Sequence, residues 1–158
     1  MVLMSVFQIH QKPDMKEISK NNMTVKWKIE KELIHFEMEA PTDGWVAIGF
    51  NENGALAGTY LIMGRVKNGE IEIVEHYTDR PSSYKSIIQY GIKSQLTNIS
   101  GTETEYSTSL KFSIPMKAAS RYHKELMSDT KWKLLMAYSL DDDFQHHSIM
   151  RTSVEIRL

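Results

Sequence analysis

The alternation of apolar and polar residues at every second position narrows the folds open to this chain more than any other feature. Met23, Val25, Trp27 and Ile29 alternate with Thr24, Lys26, Lys28 and Glu30. Ile34, Phe36 and Met38 alternate with His35 and Glu37. The same beat returns at Ile71 and Ile73, at Leu110, Phe112 and Ile114, at Trp132, Leu134 and Met136, and at Val154, Ile156 and Leu158. Successive side chains of a strand point to opposite faces, so each stretch reads as a strand with one wet face and one core face.

Turn chemistry separates these strands. Glu30-Lys31-Glu32 joins the first pair tightly, and Pro41-Thr42-Asp43-Gly44 ends the second strand. Lys67-Asn68-Gly69-Glu70 places an Asn-Gly pair between two apolar strands, the strongest short-range hairpin signal. Many short strands at this spacing predict an all-β antiparallel sandwich or barrel. One segment departs from the pattern. Pro115 suits the first turn of a helix, and the residues behind it predict one short helix near 116–127. With no repeat, low-complexity tract or linker, residues 1–158 read as a single domain.

Composition excludes several functions. A net charge of -1 gives no electrostatic footprint for nucleic acid. No apolar run is long enough to predict a membrane span. Met1-Val2-Leu3-Met4-Ser5 lacks a basic region followed by an apolar core, so no signal peptide is seen. The absence of cysteine rules out disulfides, thiolate metal sites and covalent c-type haem. The ten methionines read mostly as core filler. No nucleophile elbow, phosphate loop or His-Glu-x-x-His motif is present, so the chain is expected not to be an enzyme. Glu37, Glu39 and Glu72 fall on wet strand faces and read as solvated.

The most informative single stretch is Gly44-Trp45-Val46-Ala47-Ile48-Gly49-Phe50, followed by Asn53-Gly54-Ala55-Leu56-Ala57-Gly58 and the apolar run Tyr60–Val66. It reads as a buried strand, a glycine-rich loop and a second buried strand. Gly49 and Gly58 mark places where backbone or a flat ligand comes close, because no Cβ blocks the approach. Near the end stands His147-Ser148-Ile149-Met150-Arg151, ahead of the last strand.

These segments, in this order, resemble the DOMON domain family, which includes the cytochrome domain of cellobiose dehydrogenase and the N-terminal domain of dopamine β-monooxygenase. The resemblance runs from about Val25 to Leu158. It implies an immunoglobulin-like antiparallel β-sandwich whose inner faces enclose a ligand pocket, in an extracytoplasmic protein. It also implies a small-ligand-binding module, with haem b for electron transfer or haem sensing as the first expectation and a redox protein as partner. In the haem-binding branch, iron sits between a methionine and a histidine. The histidine position matches His147, the expected axial ligand. The methionine position is Leu56 here, which has no donor atom, and a polar position beside the pocket is Tyr60. Gly49, Leu56, Gly58, Tyr60 and Met63 are the expected pocket lining. Met63, Met150 and His76 are the candidates for a second ligand.

Two alternatives stay open. The first is a haem-free carbohydrate- or small-molecule-binding module, which needs a flat aromatic against the ligand. Trp27, Trp45, Trp132, Tyr60, Tyr77, Tyr84, Tyr90 and Tyr138 form the pool, with Trp27, Trp45 and Trp132 expected in the core. The second is an interaction domain whose pocket is filled by its own side chains, a filling that Leu56 and Tyr60 both favour. Asp141, Asp142 and Asp143 beside His146 and His147 could bind a metal, but read more readily as a solvated hairpin loop. If this segment were extended, its two adjacent imidazoles would point to opposite faces.

Overall fold

Two antiparallel sheets account for nearly all the regular structure in the computed structural model, which describes residues 14–158. The segment read above for a leader lies outside the described residues. In chain order the strands are β1 (Lys16–Lys20), β2 (Met23–Glu30), β3 (Leu33–Ala40), β4 (Val46–Asn51), β5 (Thr59–Lys67), β6 (Glu70–Arg80), β7 (Ser83–Ser86), β8 (Thr97–Glu103), β9 (Thr108–Pro115), β10 (Lys131–Tyr138) and β11 (Met150–Arg157). One sheet runs β1-β2-β3-β9-β8 and the other β11-β10-β4-β5-β6-β7. They pack face to face as a β-sandwich, which is the predicted fold class.

The alternation places the core. On β2 and β3, Met23, Val25, Trp27, Ile34, Phe36 and Met38 are all buried, while the residues between them are partly or fully exposed. Phe36 meets Phe50 at 5.4 Å and Phe112 at 5.5 Å between ring centroids, tying β3, β4 and β9 across the interior. Such aromatic pairs add about 0.5–1.5 kcal/mol beyond the area they bury. The Asn68-Gly69 turn joins β5 to β6, with φ of 53° and 77°, the left-handed backbone that a two-residue hairpin requires.

Residues 116–127 form no helix, contrary to the sequence expectation. Among the described residues the only helical element is a short 3-10 turn, Ile87–Tyr90. Local and long-range hydrogen bonds take the backbone groups that a helix would need. The Ser120 hydroxyl accepts from the Tyr122 amide at 3.2 Å and lies 2.8 Å from His123 Nδ1. Met116 donates to the Glu32 carbonyl, and Leu126 donates to the Met116 carbonyl. A serine that bonds its own neighbourhood competes with helix formation in this way. The result is a loop that seals one end of the sandwich and buries His123 and Leu126.

Candidate functional site

Parity along β4, β5 and β10 decides where a ligand can sit. Val46, Ile48 and Phe50 point into the sandwich, as do Tyr60 and Ile62 on β5 and Leu134 and Met136 on β10. The intervening residues therefore face outward, away from the other sheet. In one register row Arg151, Ala137, Ala47 and Met63 lie side by side across four strands. In the next row Leu135, Gly49 and Leu61 do the same. Ala137 and Ala47 are small, so the outer face of the six-stranded sheet sinks between taller neighbours.

Two loops raise the walls of this depression and leave a half-open groove of about 200 Å³. The expectation of a pocket between the inner faces is corrected here. The interior is filled by interlocking aromatic and aliphatic side chains, and the groove lies on the outside of one sheet. A second apolar cluster of Trp45, Ala47 and Met63, flanked by Leu61, Tyr84, Ala137 and Phe144, forms on that outer side.

The first wall is the loop between β4 and β5. The Asn51 amide donates to the Ala57 carbonyl at 3.0 Å and to the Thr59 hydroxyl at 3.1 Å, while its carbonyl oxygen accepts from the Asn53 amide. Asn53 accepts in turn from the Ala55 amide. Gly58 has φ of 79°, a conformation that favours glycine, and donates to the Thr78 carbonyl at 2.7 Å. The loop thus holds Leu56 over the groove. Gly49 serves a different end from the one expected. A Cβ there would lie 2.8 Å from Thr59 Cγ2, so its missing side chain makes room for the groove side chains of β5.

The second wall is the loop between β10 and β11, which carries Gln145, His146, His147 and Ser148 into the groove lining. Arg65 clamps this loop. Its guanidinium pairs with Glu72 through two nitrogens, at 2.7 and 2.5 Å, and donates to the Asp142 carbonyl. It also lies 4.5 Å from the centre of the Phe144 ring. Tyr84 donates to the Phe144 carbonyl. Beneath, the His76 ring meets Tyr84 and Phe144 edge-on at 5.6 and 5.8 Å. Burial pushes the His76 imidazole below its ordinary pKa, against the opposing pull of the Val74 carbonyl and Glu72. Burial raises Tyr84, with Asp143 adding to the effect.

Of the residues singled out from the sequence, His147, Met63 and Leu56 line the groove. His147 is exposed, on a wall, with its carbonyl held by the Ser139 hydroxyl at 2.9 Å. Met63 is almost fully buried in the floor. Gly49 and Gly58, expected in the lining, are not part of it, and three others stand elsewhere. Tyr60 neither closes the groove nor stacks in it; it points inward, and its hydroxyl donates to Glu75 at 2.5 Å. Met150 is half-buried and packs against the interior cluster. His76 lies under the second wall and is not part of the lining. His146 and His147 both line the groove because the segment is a turn and not an extended strand. Among the described residues no three His, Cys, Asp or Glu side chains are placed to hold a metal ion.

Two features were missed from the sequence. Arg65 and Glu72 alternate as wet strand residues should, and nothing local marks them as a clamp. The buried set Tyr60, Glu75 and His123 was missed as well. Glu75 Oε2 accepts from the Gln95 amide at 2.9 Å, and Glu75 Oε1 lies 3.4 Å from His123 Nε2, off the line of a good hydrogen bond. Desolvation opposes the Glu75 charge, but the polar groups of His123, Ser94, Tyr60 and Gln95 around it hold the carboxyl below its usual range.

Fold and groove together define a two-sheet β-sandwich with a hollow on its outer face. The family model for the DOMON domain matches residues 19–139, and the chain belongs to that family. It is 28% identical over 114 residues to the DBH-like monooxygenase protein 2 of Mus musculus, covering 72% of this chain and 18% of that protein. It is 26% identical over 125 residues to the Homo sapiens putative DBH-like monooxygenase protein 2, covering 77% of this chain and 24% of that protein. The chain thus spans less than a quarter of the length of either relative.

Two solved structures share the fold. The cytochrome b domain of pyranose dehydrogenase from Coprinopsis cinerea superposes with a TM-score of 0.67 at 8% identity, covering 90% of this chain and 81% of that one. The cytochrome domain of Myriococcum thermophilum cellobiose dehydrogenase gives 0.59 at 10% identity, covering 91% of this chain and 81% of that one.

Proposed function

We propose that this chain is a non-catalytic binding module and that its ligand, a small flat molecule, lies in the groove on the outer face of the six-stranded sheet. The observation that carries this reading is the sunken floor of Ala47 and Ala137 between two braced loops. A mostly apolar hollow with a few polar groups at its rim is the common form of a small-molecule site.

A second reading, haem b, is favoured by His147 on the groove wall and by the two cytochrome domains that share the fold. The residues fit this group only on one side. His147 supplies an imidazole, Leu56 on the other wall supplies no donor, and Met63 is packed into the floor. A groove of about 200 Å³ would also leave much of a porphyrin outside. Haem would bring one-electron chemistry to the site and, with it, a redox partner. An extracytoplasmic location goes with either reading.

A titration with N-phenyl-1-naphthylamine, a neutral flat fluorophore, tests the first reading. Saturable 1:1 fluorescence enhancement is expected, lost when Ala47→Trp fills the floor and kept when Lys111→Ala alters the opposite sheet. No enhancement, or equal loss in both variants, overturns it. Hemin added in parallel separates the second reading. A Soret band that His147→Ala abolishes supports haem, and a spectrum of free hemin alone rejects it.

A further inference from the structure

The polar side chains around the groove are unbalanced. No aspartate or glutamate is among the residues lining it, while Arg151, His146, His147, Gln145, Ser148, Thr59, Thr78 and Ser82 are. Arg151 stands at the end of the register row that runs through Ala137 and Ala47 to Met63, so a full positive charge flanks the flat floor. Carboxylates stand only outside the lining: Asp141 lies 3.8 Å from His146 Nδ1, and Asp143 faces Tyr84.

A second observation is independent of charge. Trp45 lines the groove and is 4% exposed, and its indole N–H is buried with no hydrogen-bond partner. An orphaned buried donor costs about 1–3 kcal/mol, which an acceptor on a bound ligand would recover. Trp27 has an unpaired indole too, but it belongs to the interior cluster and not to the groove. An indole N–H can only donate. Its partner must therefore be an acceptor, and the one fully charged side chain of the lining is the cation Arg151.

Resting on the groove as the binding site, we infer that the ligand is a small flat organic anion, such as an aromatic carboxylate. The ring covers Ala47 and Ala137, and the anionic end takes hydrogen bonds from Arg151 and from Trp45 Nε1. Leu56 and Met63 bound the ring on its apolar sides. The two imidazoles add donors without being needed as metal ligands. Discrimination comes from the missing carboxylates as much as from the guanidinium. A neutral analogue loses the charge-assisted bond, and a cationic one meets Arg151 with like charge.

The test uses three probes of one shape: 2-naphthoate, 2-naphthamide and 2-naphthylmethylammonium. Binding is followed on the intact chain by the Trp45 indole N–H resonance, assigned with Trp45→Phe. Naphthoate is expected to shift that resonance saturably and to bind at least about tenfold tighter than the amide, with the ammonium weaker still. Arg151→Gln should remove the preference for naphthoate over the amide, and added salt should weaken naphthoate alone. Equal affinity for all three probes overturns the anion assignment and leaves the groove reading intact. No binding by any of them overturns both.

Discussion

The two sheets present outer faces of opposite character. On the five-stranded sheet the outward residues are charged and paired along the surface. Lys26 meets Glu17, Lys28 meets Glu30, and Lys111 meets Glu37, at 3.7, 3.3 and 3.4 Å. On the six-stranded sheet the outward residues of β4, β5 and β10 are apolar or small, and two loops fold over them. Exposed ion pairs contribute little to stability, so the first face mainly keeps the protein in solution. A second apolar layer outside a finished core has a different meaning. It buries side chains that the sandwich does not need, and it leaves a hollow where two of them, Ala47 and Ala137, are small.

This contrast can be broken in order of effect. Met63→Ala removes a side chain from the outer cluster and should cost about 2–5 kcal/mol in urea unfolding. Arg65→Ala frees the β10–β11 loop from Glu72, the Asp142 carbonyl and the Phe144 ring. A loss of about 1–3 kcal/mol is expected, discounted for the half-exposed Glu72, together with weaker binding of N-phenyl-1-naphthylamine. On the charged face, Glu37→Gln should change stability by less than about 0.5 kcal/mol and leave binding alone. A large loss there, or none at Met63, would erase the distinction.

Acid sharpens the comparison by separating the outer face from the interior. The His76 pKa is depressed in the fold, so below the unfolded value of 6.5 the unfolded chain takes up the proton first. Stability therefore falls as pH drops through that value and levels off below the folded pKa. The slope is at most about 1.4 kcal/mol per pH unit, and it disappears in His76→Gln. Glu75 is also depressed. Its contribution is present above the unfolded value of 4.5 and is lost as pH falls from there through the folded value. Melting curves from pH 7.5 to 3 should show two separate declines, the first tied to His76.

How much of this the sequence reveals depends on the kind of signal. The sandwich is legible because alternation at Met23–Ile29 and Leu110–Ile114 leaves only one way to bury the apolar side. The two-sided burial of β4 is legible as well, since Val46–Phe50 contains no polar residue at all. What covers its second side is not, because that depends on loops brought in from residues 52–58 and 139–149. Tyr60 was misplaced for want of a fixed parity, since a shift of one residue moves every side chain to the other face. The helix expected near 116–127 failed because Ser120 and distant carbonyls claimed its amides.

The central claim is that the ligand lies outside the sandwich, against Ala47 and Ala137, and not between the sheets. Mapping backbone amide shifts while N-phenyl-1-naphthylamine is added tests it most directly. The account predicts saturable changes at residues 47, 49, 61, 63, 135, 137 and 145–148, with Thr24, Glu37 and Lys111 unmoved. Changes centred on Phe36, Phe50 and Phe112 would place the ligand in the interior and contradict it.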